Sequence, residues 1–458
     1  MFGGVDLSGA GQRLLPEHIP LRFFGSAVVF HILAWLALLV VAPEVPGYVG
    51  GPGPVLAAVH TLTLGVLLMT AFGASFQMLP VALGCDAPPA LACNAAYWLL
   101  LAGAAMLIGG FALYDTLLIR IGAATAALAV AVHVGAMMRL VRGGGELRAV
   151  VPYVRVALAA MAAAAALALA LQFEQVSELL PPGGPTHGDI AAAHMILAAY
   201  GFMGMLALGL SQVVVPLFAV ALVPYERWAV LSLRLGSAAL VLGASGCLLA
   251  SDLMIAAGAV FGLGAAGVHV RMMTDLLAKR LRKRLSPEFV LIRASWLIMP
   301  VPLAIGVGLV AGVLPDTAPA LFGFALLYGW LLTLLVGVLQ RIMPLLASMH
   351  TGRPGRAPAV PTRLTAEKPL LVHRWCHLAA LAIVFVGIGI DQAPLVRVGA
   401  GVGAIGAIAF AVFVVIVFRR MKAHMQDAAE ASATPKQGKA SAGQGKTMTA
   451  APPAARRE

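Results

Sequence analysis

Charged residues are scarce in this chain, and their scarcity bounds the fold. Only 11% of the 458 residues are Asp, Glu, Lys or Arg, whereas 61% are hydrophobic. This composition excludes a soluble globular protein, because the surface of a soluble domain needs far more polar side chains. Acidic residues are rarest inside the apolar runs, so a proton pathway built from Asp and Glu is not expected.

Cysteine and the short motifs of soluble enzymes are also lacking. Cys85, Cys93, Cys247 and Cys376 form no CxxC pair and no zinc-binding spacing, so we interpret them as small packing residues. The chain contains no P-loop, no GxSxG, no CxxCH for covalent haem attachment and no dinucleotide fingerprint. The sequence therefore gives no support for nucleotide chemistry or for these familiar hydrolase and cytochrome motifs.

Long apolar runs dominate what remains. A helix needs about 20 apolar residues to cross the hydrocarbon core of a bilayer. No alternating strand pattern occurs, so the sequence predicts an all-α integral membrane protein with about twelve transmembrane helices. The predicted spans are residues 21–43, 54–83, 92–110, 117–139, 154–173, 188–222, 229–250, 254–277, 290–313, 318–348, 371–390 and 395–420.

The net charge is +12, and the distribution of the basic residues is typical of a membrane topology rather than of a nucleic-acid-binding surface. Lys and Arg cluster in alternate loops, around residues 139–155, 279–284, 353–374 and 419–422, and the opposite loops contain neither. This positive-inside pattern predicts that both termini are cytoplasmic. We expect a multi-pass protein of a bacterial inner membrane that contacts lipid and no nucleic acid.

The chain divides into a lead, one membrane domain and a tail. Residues 1–20 form a cytoplasmic lead, 21–420 the membrane domain, and 421–458 a tail that is predicted to be disordered. Two histidines followed by Met pairs, His133 and His269, are 136 positions apart and indicate an internal repeat. We interpret the domain as three quasi-equivalent four-helix units, about 21–140, 153–277 and 290–420.

The second helix of each unit carries the clearest repeat. Each of these three long helices has glycines, a glutamine and a proline on one helical stripe. Glycine permits close helix approach, and a buried glutamine amide needs a partner. The repeated residues are Gly65, Gly73, Gln77 and Pro80; Gly201, Gly209, Gln212 and Pro216; Gly329, Gly337, Gln340 and Pro344.

Two histidines occupy what looks like the same place in the first two long helices. His60 and His194 lie near the ends predicted to face the periplasm, and Tyr328 stands at the matching distance in the third helix. A histidine inside a bilayer is costly, so it is a functional-site hypothesis by default. We predict that His60 and His194 bind a haem or a metal ion. The alternative is that each is hydrogen-bonded to a neighbouring helix.

Other histidines are candidates for the same site or a second one. His31, in the first span, is a further candidate haem ligand or a buried hydrogen-bonding residue. His187 could join His60 and His194 in a metal site or lie in a loop. His133 and His269 could form an inner haem or copper site or fill the core.

A last pair of histidines has the i, i+4 spacing of helical metal ligands. His373 and His377 could share a metal ion. Arg374 lies between them, and this favours a position at the membrane interface or in a loop.

These residues resemble the subunit I of the haem–copper oxidase superfamily. Twelve helices in three units of four, with a histidine near the outer end of the second helix, are similar to that subunit. The stretch His60-Thr-Leu-Thr-Leu-Gly65 to Pro80, with Pro20-Leu-Arg-Phe-Phe24, resembles its divergent subunit-I-like relatives, near the NnrS-type nitric-oxide-response membrane proteins. The resemblance covers residues 20–420 as architecture and the second and sixth helices as motif. It implies that His60 is an axial ligand of haem b.

The chain departs from the superfamily pattern at its reaction centre. The superfamily supplies the opposite haem ligand from the tenth helix, in a paired-histidine motif, and the predicted span 318–348 contains no histidine. The histidine pair of the seventh helix and the His-x-x-x-Tyr pattern of the sixth are also absent. The copper site and high-spin haem of a working oxidase are therefore not expected, and His194 and His31 are the candidates for the second ligand.

We therefore predict an inner-membrane protein that binds haem b, with copper as a further cofactor to consider. It would act in electron transfer or in handling nitric oxide or redox stress, with a redox partner or second membrane subunit. Two alternatives stay open: a transporter of a small solute or metal, and a structural subunit with no cofactor. Whether the chain catalyses a reaction stays open as well.

Overall fold

The structure is a computed structural model, and it describes residues 13–142, 149–172, 184–222, 226–281, 283–352 and 358–433. Within these ranges the chain is helical, without β-strands, and twelve helices are long and apolar enough to cross a membrane. The prediction of twelve transmembrane helices is confirmed, and the chain is a multi-pass membrane protein. The helices are α1 His18–Val40, α2 Pro54–Leu83, α3 Ala90–Leu113, α4 Thr116–Arg142, α5 Val151–Ala170, α6 His187–Ala219, α7 Glu226–Leu248, α8 Asp252–Ala278, α9 Phe289–Val310, α10 Ala318–Thr351, α11 Glu367–Gly389 and α12 Ala393–Gln426.

The three long helices α2, α6 and α10 form the interior of the bundle. In each, 72% of the most apolar stretch is buried, against 22–44% in the other nine helices. Each also contains a π-helical segment: Thr63–Leu68 in α2, Ile196–Gly204 in α6 and Ala325–Leu332 in α10. The segment in α10 contacts those in α2 and α6. Because π-helical turns are rare and concentrate at functional sites, their recurrence singles out this central region.

Glycine contacts establish the same register in each group of four helices. The third and fourth helices of a group, α3–α4, α7–α8 and α11–α12, pack as close hairpins. A β-carbon at Gly110 would lie 2.7 Å from Ile119 N. The corresponding distance is 2.8 Å from Gly246 to Ile255 N and from Gly387 to Val396 N, and the partner is nine residues later in every hairpin.

The first and second helices of each group also meet at equivalent glycines. A β-carbon at Gly73 would lie 2.6 Å from Phe23 Cβ on α1, and one at Gly209 would lie 2.7 Å from Tyr153 Cβ on α5. In the third group, a β-carbon at Gly337 would lie 3.1 Å from Leu291 Cβ on α9. The helices therefore form three units with one internal arrangement: unit 1 is α1–α4, unit 2 is α5–α8 and unit 3 is α9–α12.

The units form a closed ring. The first helix of each unit packs against the fourth helix of the unit before it, as α5 does on α4 and α9 on α8. Helix α1 packs in the same way against α12, which joins unit 1 to unit 3. The ring thus has three equivalent junctions, and the long helices lie inside it.

The structure corrects the predicted tail. Helix α12 continues beyond its membrane span as far as Ala433, so residues 421–433 are helical rather than disordered. The charged residues Arg419, Arg420 and Lys422 end the apolar run, but Ala, Met, Gln and Lys are good helix formers and extend the helix. The predicted lead over residues 1–12 and the tail from residue 434 lie outside the described residues.

Candidate functional site

His60 lies in the first part of α2, one turn before the π-helical segment. Its Nδ1 is 3.0 Å from the carbonyl oxygen of Leu56, one turn earlier in the same helix. Since a carbonyl only accepts, Nδ1 carries the proton and donates it. The lone pair of the imidazole is then on Nε2. The ring packs against Phe111 of α3, with ring centroids 4.9 Å apart.

His194 has the same protonation state, fixed by a different helix. Its Nδ1 is 2.8 Å from the carbonyl oxygen of Ala164 in α5. Nδ1 is again the donor, and the lone pair is on Nε2. His194 and His60 are both half-buried. The two histidines therefore have the same tautomer, and each gives Nδ1–H to a main-chain carbonyl oxygen.

The two histidines do not occupy equivalent positions in the repeat. Gly65 contacts Phe30 of α1 and Gly201 contacts Ala160 of α5, so these glycines are equivalent. His60 is five residues before Gly65, whereas His194 is seven residues before Gly201, so the two histidines differ by two positions in the repeat. The prediction of a shared position in the repeat was wrong.

Tyr328 lies inside the π-helical segment of α10. It is nine residues before Gly337, whereas His60 is 13 residues before the equivalent Gly73, so the prediction that Tyr328 stands at the matching distance was wrong. The hydroxyl of Tyr328 donates a hydrogen bond to the carbonyl oxygen of Ala34 in α1, over 3.1 Å. Its ring lies 4.8 Å from that of Trp35. Tyr328 therefore faces α1 and is a packing and hydrogen-bonding residue of the interior.

His187 is an exposed residue at the first position of α6. The helix start is held by a reciprocal capping box. The backbone N–H of Asp189 donates to the Thr186 hydroxyl over 3.2 Å, and that of Thr186 donates to the Asp189 carboxylate over 2.8 Å. His187 lies seven residues, about 10 Å along the helix, from His194. This separation makes an ion shared by the two side chains within one helix geometrically unfavourable.

His133 and His269 are equivalent residues of two different units. A β-carbon at Gly122 of α4 would lie 2.5 Å from Leu107 N, and one at Gly258 of α8 would lie 2.7 Å from Gly243 N, so these glycines are equivalent. His133 and His269 follow them by eleven residues, and both are buried. His133 stacks on Phe72 of α2 with centroids 3.8 Å apart, and its Nε2 is 3.3 Å from the Ser75 hydroxyl. His133 and His269 lie on α4 and α8, in units 1 and 2.

His31 lies apart from His60 and His194, in a cluster of three buried imidazoles. Its ring centroid is 5.8 Å from that of His373, which is 5.7 Å from that of His377. All three rings are 0–1% exposed. The prediction of a loop position for His373 and His377 was wrong, because both lie within α11 and face the interior of the bundle.

The protons of two members of this cluster are fixed by their partners. His373 Nδ1 donates to the carbonyl oxygen of Gly406 over 3.1 Å, which leaves a lone pair on Nε2. The Thr333 hydroxyl donates to Tyr328 O, so it accepts from His377 Nε2, 2.8 Å away, and leaves a lone pair on Nδ1. Both of these lone-pair nitrogens, and both ring nitrogens of His31, are buried without a hydrogen-bond partner.

A small cavity adjoins His31. It is lined by residues of α1, α2, α10 and α12, and the unpartnered hydroxyl of Thr70 is among them. The other lining side chains are apolar. The lining residues are Ala27, Val28, His31, Val66, Thr70, Val336, Leu339 and Phe410.

Among the residues that the structure describes, no three His, Cys, Asp or Glu side chains are placed to hold one metal ion together. The repeated glutamines are buried as expected, but the amide groups of Gln77 and Gln340 have no hydrogen-bond partner. The chain matches no protein-family model and no curated protein.

Proposed function

We propose that this chain is a bacterial inner-membrane protein that binds haem b and acts in electron transfer or in nitric-oxide or redox-stress handling. His60 and His194 would be the haem ligands. The observation that carries this proposal is their matched chemistry: the two imidazoles each give Nδ1–H to a main-chain carbonyl and keep the Nε2 lone pair. The positive-inside distribution of Lys and Arg supports a periplasmic position for this end of α2 and α6.

The surroundings of these histidines suit axial ligands. A metal-binding histidine almost always donates its second nitrogen to a carbonyl, carboxylate or water, which fixes the tautomer and ring orientation. The carbonyls of Leu56 and Ala164 serve this purpose here. Because they belong to the main chain, the orientation depends on the helices rather than on other side chains. The ring of Phe111 packs against the His60 ring at a tilt of 41°.

The number of histidine ligands would decide whether the haem transfers electrons or binds nitric oxide. A haem held by two histidines supplies one-electron transfer, and its potential depends on its ligands and on burial. His60 and His194 come from units 1 and 2, so their relative placement depends on the α4–α5 junction between those units.

The proposal is tested by absorption spectra of the detergent-purified protein, oxidised and dithionite-reduced, after expression with ample haem. We expect a b-type Soret and α-band in the parent. His60→Ala and His194→Ala should each lose or shift these bands, and the double variant should lose them. His187→Ala is the matched control, since His187 is exposed at the same end of α6.

A folded, colourless parent would overturn the haem proposal and leave a transporter or a cofactor-free subunit as the alternatives. Parent bands that survive in the double variant would overturn the assignment of these ligands. If single variants keep a haem band that nitric oxide shifts while the parent does not respond, this would support two histidine ligands in the parent.

A further inference from the structure

We propose that His31 and His373 bind one Cu(I) ion at the junction between units 3 and 1, with His377 beside them. This site shares no residue with the haem proposal. His31 comes from α1 and His373 from α11, and their rings are 5.8 Å apart and nearly perpendicular. The ion would thus join two units at the point where the ring of units closes.

The three histidines are confined to one of three equivalent junctions. The positions equivalent to His31 are Met161 on α5 and Met299 on α9, counted from the residues that meet the repeated glycines. His373 and His377 are 14 and 10 residues before the hairpin glycine Gly387. At the same distances before Gly110 and Gly246, the other units have apolar or small residues. These are Ala96 and Leu100 in unit 1 and Ser232 and Gly236 in unit 2. Packing at this place therefore does not require histidine.

The open nitrogens point to a ligand. Every imidazole in the cluster has at least one buried nitrogen without a hydrogen-bond partner. A buried polar atom without a partner costs about 1–3 kcal/mol, and most such atoms in folded proteins are satisfied. The Gly406 carbonyl and the Thr333 hydroxyl already take the N–H groups of His373 and His377. What remains at these rings is the lone pair, which is the part that binds a metal.

The separation of the rings suits two ligands on one ion. With a metal–nitrogen distance of about 2.0 Å, each ring centroid lies about 3.2 Å from the metal. Two centroids are then about 5.2 Å apart at a tetrahedral angle and about 6.4 Å apart in a straight line. The observed 5.8 Å falls between these limits.

The charges around the cluster favour a monovalent ion. Imidazole binds copper, zinc, iron and nickel, but burial of a divalent ion without anionic ligands is very costly. No carboxylate belongs to this cluster. The nearest charged side chain in sequence is Arg374, which is buried and interacts electrostatically with His373 and with Glu288. Cu(I) has one charge and accepts two imidazoles, so it meets both conditions.

The test is an anaerobic titration of the full-length protein in detergent with Cu(I), in competition with a chromophoric Cu(I) chelator. We expect one ion per parent chain. His373→Ala, which copies the residue at the equivalent position of unit 1, and His31→Leu should weaken binding at least about 100-fold. His377→Leu, which copies Leu100, should weaken it less. His133→Phe is the matched control, because Phe410 occupies the equivalent position in unit 3, eleven residues after Gly399, which meets Val384 N as Gly122 meets Leu107 N. This variant should bind copper as the parent does.

Copper K-edge X-ray absorption of the loaded parent provides a readout that does not depend on how well the variants fold. It should show two imidazole nitrogens near 2.0 Å. A parent that binds no Cu(I), or a His373→Ala variant that binds it as tightly as the parent, would overturn the proposal. Zn²⁺ that displaces Cu(I) from the same residues would overturn the choice of a monovalent ion. Copper binding should persist in the His60→Ala, His194→Ala double variant, which separates this site from the haem site.

Discussion

The indole ring of Trp35 in α1 occupies the space that a side chain at Gly403 in α12 would need. Trp35 is fully buried, and its ring also packs against Tyr328 at 4.8 Å and His377 at 6.0 Å. The ring has no free direction in which to move. The contact between Trp35 and Gly403 is therefore where the last helix of unit 3 closes onto the first helix of unit 1.

Gly403→Ala should destabilise the protein at this closure. The added methyl group would overlap the indole ring, and overpacking of a buried contact costs about 1–3 kcal/mol. Gly401→Ala is the control in the same helix, because its β-carbon would lie 3.5 Å from Leu39 Cδ1, an ordinary contact. Both substitutions replace a helical glycine by alanine and gain the same helix propensity. A difference in stability between the two variants therefore measures the contact of residue 403 with Trp35. Thermal unfolding in detergent should give a lower Tm for Gly403→Ala than for Gly401→Ala, and equal values would contradict this account of the closure.

The number of helices could be predicted because the bilayer sets it. A span must contain about 20 apolar residues, so hydropathy alone indicated α1 to α12. The ends were less accurate where charge and helix propensity disagree, as beyond Arg420 in α12. There the apolar run ends, but the helix continues to Ala433.

The candidate site could be predicted only in part, because orientation around a helix is not visible in an apolar sequence. His373 and His377 looked interfacial because of Arg374, yet α11 begins at Glu367 and turns both rings inward. His373 and His377 lie close to His31 only because unit 3, at one end of the membrane domain, packs against unit 1 at the other end. His60 and His194 were aligned with each other directly, whereas the glycine contacts show that they differ by two residues.

Thr333→Val should destabilise the interior by removing the hydrogen-bond partner of His377. The Thr333 oxygen is 2.8 Å from His377 Nε2, and both groups are buried. Valine has nearly the same shape, but it leaves Nε2–H without an acceptor, at a cost of about 1–3 kcal/mol. Thr333→Ser keeps the hydroxyl and should recover most of the loss. Thermal unfolding of the metal-free proteins measures this, and a valine variant as stable as the serine variant would show that the bond contributes nothing.

Tyr48 should make stability fall at alkaline pH. It lies in the segment between α1 and α2, where its hydroxyl donates to the carbonyl oxygen of Gly51 over 2.8 Å. Burial raises the pKa of Tyr48 to about 12, from the ordinary value of 10.0. Between these two values the unfolded chain loses the phenolic proton more readily than the folded chain. The contribution of Tyr48 is thus fully present below pH 10 and decreases as the pH rises towards 12.

The tyrosinate absorbance near 295 nm measures this pKa when the titration of Tyr48→Phe is subtracted from that of the parent. The difference should have its midpoint near pH 12 in the folded protein. In the denatured protein, which serves as the control, it should return to about 10. The Tm of the parent should also fall more than that of Tyr48→Phe as the pH rises above 10. A folded-state midpoint near 10 would mean that the Tyr48 ring is solvated and that the segment between α1 and α2 does not bury it.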